Sequence, residues 1–273
     1  MKKKILIFVF PLLWICLFLI IILCGNVTLF VLGDSYVDTG NTPRSASAAW
    51  KQPYGITFPG NPSGRFSDAH VLADYIASYL GIRSPTPYEQ KKLEVAMTSR
   101  IDNVGINFAY GGTGVFQTLV DLPNMTTQID FLQQLIDQTR TNLSSSIALV
   151  SLAGNDYATF LTKNGSFEQN LIGLNSKSAA APVYIYLDLY TAFTSALKTE
   201  NNSSGRNDES QLKPCCVGKN VEDCGLTDEN GVKKYVVCEN PKQSFFWDSL
   251  HPSNQGWGAI YKALIPSLKS LFL

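Results

Sequence analysis

Short apolar segments recur along the chain, and each is followed by small or polar residues and then by a segment of helical periodicity. The apolar segments are Thr28–Leu32, Val104–Ala109, Ile147–Leu152 and Val183–Leu187. Strands that alternate with helices form a mostly parallel sheet covered by helices on both faces. We therefore predict an α/β fold with three layers, in which the sheet lies between two layers of helices.

Residues that could carry chemistry follow three of these predicted strands. Gly33-Asp34-Ser35 follows the first strand, Gly111, Gly112 and Gly114 follow the second, and Gly154-Asn155-Asp156 follows the third. Ligands of parallel sheets bind at the carboxyl ends of the strands. We therefore expect a functional site where these three segments meet.

Helical periodicity is clearest between Val71 and Leu80, where apolar residues recur at intervals of three and four. Ser67 is predicted as the N-cap of this helix, with Asp68 in its first turn, and Gly81 ends the pattern. Residues 41–66 are rich in Pro, Gly and Ser and are predicted to form a long loop. Further helices are predicted around Ile129–Ile136, over residues 190–198 and from about Ser253 onward.

The N-terminal segment is not expected to belong to the folded domain. Three lysines at positions 2–4 precede Ile5–Leu23, which carries no charge. This is the pattern of a secretory signal, although about 20 apolar residues can also span a bilayer. We predict that residues 1–25 are a cleaved signal peptide and that residues 26–273 form one domain. An uncleaved anchor is the alternative, and either outcome delivers the domain to the lumen or the outside.

Cysteine usage agrees with an oxidising route. Of six cysteines, four lie close together outside the leader, at Cys215, Cys216, Cys224 and Cys238. Zinc binding is the rival interpretation, but adjacent cysteines are poorly spaced as ligands and the leader favours disulfides. Four cysteines allow three pairings, and the sequence does not choose among them. Asn-x-Ser/Thr triplets for N-glycosylation are consistent with the same route.

Charge and histidine content narrow the possible functions. The 22 Lys and Arg residues balance the 22 Asp and Glu residues, which argues against a nucleic-acid partner because such proteins need a basic surface. Only two histidines, His70 and His251, are present. His70 is predicted to be a solvated residue in the first turn of its helix. Any mechanism that needs an imidazole therefore rests mainly on His251.

A serine hydrolase needs a hydroxyl nucleophile, an imidazole base, an acid that orients the imidazole, and N–H donors for the oxyanion. Ser35, on a strand-to-helix turn, could supply the first, and Asp248 lies three residues before His251. Asn155 and the glycines near position 112 could supply the donors. Each signal has a plain structural alternative: a capping serine, a chance Asp-x-x-His pair, and Gly and Asn residues that only form turns.

Four segments together resemble a known family. Gly33-Asp34-Ser35-Tyr36-Val37-Asp38-Thr39-Gly40-Asn41, Asn107-Phe108-Ala109-Tyr110-Gly111-Gly112-Thr113-Gly114, Gly154-Asn155-Asp156 and Asp248-Ser249-Leu250-His251-Pro252 occur in this order. They resemble the four sequence blocks of the plant-type GDSL esterase/lipases, which belong to the SGNH hydrolase superfamily. Gly64-Arg65-Phe66-Ser67-Asp68 and Pro214-Cys215-Cys216 are also similar to segments of this family.

The resemblance implies a role for each candidate residue. Ser35 would be the nucleophile, His251 the base and Asp248 the acid that orients it. The oxyanion hole would comprise the Ser35 N–H, the Gly112 N–H and the Asn155 side chain, with Gly112 chosen from a glycine run that can be aligned in more than one way. The resemblance implies no metal and no cofactor.

One departure from the family pattern lies between Asn155 and Val183. Family members usually have a further helix and strand there, whereas this chain passes from Asn170–Leu174 almost directly to Val183–Leu187. We therefore predict a sheet that lacks one strand–helix unit. Because the missing strand would be interior, we expect reduced stability.

The resulting prediction is a secreted serine hydrolase that cleaves carboxylic esters through an acyl-enzyme. Its partner would be an ester substrate, either an acyl lipid or an acylated wall polysaccharide, with no nucleic acid and no stable membrane span once the leader is removed. Two alternatives remain open: an acyltransferase that uses the same three residues, and a catalytically impaired isoform that binds a lipid or glycan.

Overall fold

The computed structural model describes residues 27–92, 105–139, 143–152, 154–163, 187–204, 212–218, 220 and 224–269. The strands among these residues are β1 (Thr28–Gly33), β2 (Thr86–Pro87), β3 (Ile106–Asn107), β4 (Ser146–Ser151), β5 (Cys216–Gly218) and β6 (Tyr235–Val237). The longer α-helices among these residues are α1 (Leu72–Tyr79), α2 (Met125–Thr139), α3 (Gly154–Thr162), α4 (Leu189–Ser204) and α5 (Asn254–Lys269). The predicted long loop contains a short 3-10 helix, Ala48–Trp50.

The main sheet is parallel, with the strand order β2-β3-β1-β4. Strand β1 lies between β3 and β4, and Leu29 faces Ile147 while Val31 faces Asn107 in the two pairings. This confirms the predicted mostly parallel sheet. Within the described residues, β4 pairs only with β1. Of the predicted strand Val183–Leu187, all but Leu187 lies outside the described residues, so the missing unit beyond β4 stays a prediction.

The two faces of β1 contribute to two different cores. Leu29 and Val31 belong to a cluster with α1, α4 and α5, in which Trp257 is fully buried. Phe30 and Leu32 face the other way and pack against Leu135 of α2. A strand buried on both faces needs a continuous apolar run, which explains the composition of β1. Helices therefore cover both sides of the sheet, as the three-layer prediction requires.

The start of α1 differs from the prediction. The helix begins at Leu72 with Val71 as its N-cap, and the carboxylate of Asp74 accepts the Val71 N–H at 2.9 Å. The prediction of Ser67 as N-cap, with Asp68 in the first turn, was wrong because Asp68 serves a different helix. Its Oδ1 accepts the N–H of Asn254 at 2.6 Å, at the first residue of α5.

A second, two-stranded antiparallel sheet of β5 and β6 carries the cysteines. Disulfides join Cys215 to Cys238 and Cys216 to Cys224, which confirms disulfides over zinc and selects one of the three pairings. The N–H of Cys216 donates to the Trp247 carbonyl at 2.7 Å. The disulfide-linked segment therefore braces the chain immediately before Asp248.

In the part of the chain that the structure describes, no helix has both the length and the apolar character needed to cross a membrane. The predicted signal peptide, residues 1–25, lies outside the described residues.

Candidate active site

Ser35 lies just beyond the carboxyl end of β1. After the strand the chain makes a single helical turn, which is closed by a hydrogen bond from the Asp38 N–H to the Asp34 carbonyl at 3.0 Å. This turn does not continue directly into a longer helix. The predicted strand-to-helix turn was therefore wrong in its second half, since the next α-helix begins at Leu72. Gln128 of α2 fixes the strand end, because its side chain accepts the Gly33 N–H at 2.8 Å and donates to the Gly33 carbonyl at 3.0 Å.

The structure brings Ser35, His251 and Asp248 together. The Ser35 Oγ is 2.9 Å from the His251 Nε2, and the His251 Nδ1 is 2.8 and 2.9 Å from the two carboxylate oxygens of Asp248. All three residues are buried, with relative exposures of 8%, 9% and 5%. A carboxylate can only accept hydrogen bonds, so Nδ1 carries the ring proton and Nε2 is left to accept the Ser35 hydroxyl proton.

The short segment around Asp248 folds locally so that the carboxylate meets the imidazole. Asp248 Oδ1 accepts the backbone N–H groups of Leu250 at 2.9 Å and His251 at 2.8 Å, the local pattern that Asp favours in turns. The Trp247 N–H closes the turn by donating to the His251 carbonyl at 2.8 Å. The three-residue spacing thus has a direct structural reason.

Tyr54 is a fourth member of this group that the sequence did not reveal. Its hydroxyl donates to Asp248 Oδ2 at 2.8 Å, and its ring packs edge-on against Trp247. Burial alone would raise the pKa of Asp248, but the charge of His251 and the hydrogen bonds from His251, Leu250 and Tyr54 outweigh it and lower that pKa. The carboxylate is therefore held in its charged form.

The candidate oxyanion donors lie on two neighbouring segments. Gly112 follows β3 and has a φ of +80°, and Asn155 is the second residue of α3, with its Nδ2 donating to the Thr113 carbonyl at 2.9 Å. An amide NH₂ has two hydrogens, so one remains for a ligand. Within the described residues, the N–H groups of Ser35 and Gly112 have no hydrogen-bond partner. The Gly111 N–H is already bonded, at 2.7 Å to the Thr42 hydroxyl.

Buried polar side chains join the turn after β1 to the strand end of β3. Asp38 accepts the N–H groups of Gly40 and Asn41, and its Oδ2 also accepts the Gly111 N–H at 3.1 Å. The Asn41 Nδ2 donates to the Asn107 carbonyl at 2.7 Å. The sequence contained Asp38, Asn41 and Asn107 within the family blocks, but nothing in their spacing indicated which groups they would bond.

Asp34 is a buried acid beside Ser35. Burial raises its pKa to about 7, against the opposing effect of the hydrogen bond from the Tyr36 N–H. The carboxyl is therefore largely neutral below neutral pH, and its ionisation would place a negative charge beside Ser35.

His70 does not join this group, but it is not the solvated residue of the prediction. It lies before α1, half-buried, where its Nδ1 is 3.0 Å from Asn254 Oδ1 and its ring stacks on Phe58. Across the described residues, no cluster of three or more His, Cys, Asp or Glu side chains could hold a metal ion.

Comparison with known proteins agrees with this architecture. The family model described as GDSL-like lipase/acylhydrolase matches residues 29–178, more than half of the chain, although the matched range ends before Asp248 and His251. Two proteins of Arabidopsis thaliana named GDSL esterase/lipase are 41% and 39% identical, over 88% and 90% of this chain and 86% and 89% of their own lengths. Acetylajmalan esterase 2 of Rauvolfia serpentina is 26% identical over 91% of this chain and 92% of its own length.

The alignment with the first Arabidopsis protein is 312 positions long, although it covers 88% of a chain of only 273 residues. Part of that relative therefore has no counterpart in this chain, which agrees with a shortened chain. On the family match and the identity over most of its length, the chain belongs to the GDSL-like lipase/acylhydrolase family and is a carboxylic-ester hydrolase of the GDSL esterase/lipase type.

Proposed function

We propose that this protein is a secreted hydrolase in which Ser35, His251 and Asp248 cleave carboxylic esters through an acyl-enzyme. The observation that carries the proposal is the unbroken chain of hydrogen bonds from the Ser35 hydroxyl through the His251 ring to the Asp248 carboxylate. This arrangement has the atoms that nucleophilic catalysis needs, in the order it needs them.

In the first half of the reaction, Ser35 Oγ attacks the ester carbonyl carbon while its proton moves to His251 Nε2. The carbonyl oxygen becomes negative and accepts hydrogen bonds from the Ser35 N–H, the Gly112 N–H and the Asn155 amide. The N–H of Gly111 is already bonded to Thr42, which supports Gly112 as the donor from the glycine run. When the tetrahedral intermediate collapses, the carbon–oxygen bond to the alcohol breaks and His251 gives that alcohol its proton.

In the second half, water attacks the acyl group on Ser35 and His251 takes its proton. The acid leaves and the Ser35 hydroxyl is restored. Asp248 stays charged throughout, because its lowered pKa favours the carboxylate, and it stabilises the imidazolium that forms in each half-reaction. Leu250, the residue before His251, has an exposed apolar side chain. It supports a substrate with an apolar acyl group, as in an acyl lipid or an acylated wall polymer.

Secretion is supported by the predicted leader and by the two disulfides, which form and persist in oxidising compartments. The proposal includes cleavage of residues 1–25 and release of the remaining chain.

The test uses p-nitrophenyl acetate and a fluorophosphonate probe with the purified protein. Ser35→Ala and His251→Gln are each expected to lower kcat by about 10⁴-fold or more, and Ser35→Ala also to abolish labelling. His70→Gln is the matched control, because His70 is the other histidine and lies outside the site, so it should retain most of the activity. Undiminished turnover by folded Ser35→Ala would refute the proposal. A wild-type protein that neither reacts with the fluorophosphonate nor hydrolyses the ester would also refute it and would instead indicate a binding isoform.

A further inference from the structure

The loop that carries Gly112 is anchored by the first turn of α3. Asp156 Oδ2 accepts the Val115 N–H and its Oδ1 accepts the Phe116 N–H, both at 2.9 Å. The preceding residue, Asn155, donates its amide to the Thr113 carbonyl at 2.9 Å. We propose that Asp156 is a positioning residue, which fixes this loop so that the Gly112 N–H and the Asn155 amide converge on one oxyanion. This inference rests on the proposed function.

Gly114 provides the space for this contact. A Cβ built on Gly114 would lie 2.4 Å from each of the two Asp156 carboxylate oxygens, much closer than atoms can approach. Its φ lies outside the left-handed region, so the backbone itself would accept another residue. The absence of a side chain at position 114 is therefore needed by the carboxylate and not by the backbone conformation.

The bonds are strong enough to set the position of the loop. Hydrogen bonds from backbone N–H groups to a carboxylate are charge-assisted and about twice as strong as neutral ones. Oxyanion stabilisation depends on donors that are already in place when charge develops, and shifts of about 1 Å are costly. One helical turn thus both presents a donor, through Asn155, and orients the segment carrying the other donor, through Asp156.

Other contacts limit what loss of Asp156 can do. The Thr118 hydroxyl donates to the Gly112 carbonyl at 2.8 Å, and the Thr113 hydroxyl donates to the Tyr110 carbonyl at 2.7 Å. These bonds remain without Asp156, so the loop should shift and not unfold. We therefore expect an effect below the 10²- to 10³-fold loss, approximately, that follows removal of a whole oxyanion donor.

The experiment compares Asp156→Ala, Asp156→Asn, Gly114→Ala and the Asp156→Ala/Gly114→Ala double variant with p-nitrophenyl acetate. Asp156→Ala and Gly114→Ala should each lower kcat and kcat/KM equally, by about ten- to a hundredfold, as expected for a contact needed in the transition state. Asp156→Asn, which keeps one acceptor oxygen, should retain more activity than Asp156→Ala. The double variant should lose no more activity than the less active of the two single variants, because both changes break the same contact.

Two further measurements separate positioning from general destabilisation. The affinity for a trifluoromethyl ketone, whose adduct with a serine hydroxyl is a tetrahedral oxyanion, should fall by the same factor as kcat/KM. Asp188→Ala is the matched control, because Asp188 accepts the Thr191 N–H at 2.9 Å at the start of α4 and makes a comparable bond elsewhere. It should leave kcat unchanged.

Retention of kcat within about twofold in both Asp156→Ala and Gly114→Ala would overturn the inference, as would losses that multiply in the double variant. The Gly114→Ala result keeps the test decisive if Asp156→Ala does not fold. An active Ser35→Ala enzyme would refute the proposed function itself, whereas an inactive Ser35→Ala beside normal Asp156 and Gly114 variants would refute only the role of Asp156.

Discussion

Removing the hydroxyl of Tyr54 measures how strongly the buried Asp248 carboxylate depends on its hydrogen bonds. Tyr54→Phe keeps the ring that packs on Trp247 and deletes one donor, 2.8 Å from Asp248 Oδ2. Tyr54 and Asp248 are both only 5% exposed, so water has little access to replace the lost bond. A hydrogen bond to a charged group contributes about 1.5–3 kcal/mol, and we expect Tyr54→Phe to lower the free energy of unfolding at pH 7 by about 2 kcal/mol.

The loss of unfolding free energy caused by Tyr54→Phe should depend on pH, and the lowered pKa of Asp248 fixes the direction of that dependence. The folded-state pKa of Asp248 is lowered, so its contribution to stability is present above the unfolded value of 3.8 and is lost as pH falls through the folded value. Tyr54→Phe raises that folded pKa toward 3.8. The difference in unfolding free energy between wild type and Tyr54→Phe should therefore be largest at neutral pH and shrink as pH falls below about 4.

Urea unfolding at a series of pH values provides the measurement, and Tyr235→Phe provides the control. Tyr235 belongs to the same buried cluster, but its hydroxyl donates to the neutral Gln52 carbonyl, at the same distance of 2.8 Å. Its loss should cost about 1 kcal/mol at every pH. Equal and pH-independent costs for the two variants would refute the argument that the charge of Asp248 is what Tyr54 stabilises.

Two further changes probe the end of β1. Gln128→Leu removes the acceptor of the buried Gly33 N–H, whereas the Gly33 carbonyl still accepts the Tyr110 N–H at 3.1 Å. It should cost about 1–3 kcal/mol of unfolding free energy in urea, whereas Gln133→Leu on the exposed face of the same helix should cost about 0.5 kcal/mol or less. Asp34→Asn should change the pH dependence of stability. The folded pKa of Asp34, about 7, lies above the unfolded 3.8, so ionisation of Asp34 reduces wild-type stability as pH rises from about 4 to 7. Asp34→Asn should therefore gain stability relative to wild type over that interval in urea unfolding, and parallel curves would contradict this.

Several elements followed from local sequence alone. β1 and β4 were predicted within one residue at their ends, because each is a short apolar run. β1 is buried on both faces, whereas in β4 Leu149 is buried and Val150 is exposed. α5 begins at Asn254, one residue from the predicted start near Ser253. The family blocks supplied Ser35, Asp248 and His251 as candidates before any geometry was known.

Two of the misses, the start of α1 and the role of Tyr54, share one cause, which is that the relevant partners are distant in sequence. Ser67 and Asp68 had the composition of a helix start, but Asp68 bonds the first residue of α5, 186 residues away. Tyr54 lay in an unremarkable loop segment, and its partner Asp248 is 194 residues further along the chain. Local patterns cannot express such pairs, because they depend on how loops return to the sheet.

The sequence by itself determined the layered α/β architecture, because hydrophobic periodicity is a local property. Its resemblance to the four blocks of a family supplied the three side chains proposed for catalysis. Only the tertiary structure decided which cysteines pair, that the Gly111 N–H is already bonded, and which groups hold Asp248 charged. Those outcomes depend on distances between segments that the chain brings together through long-range packing, and a linear pattern contains no distances.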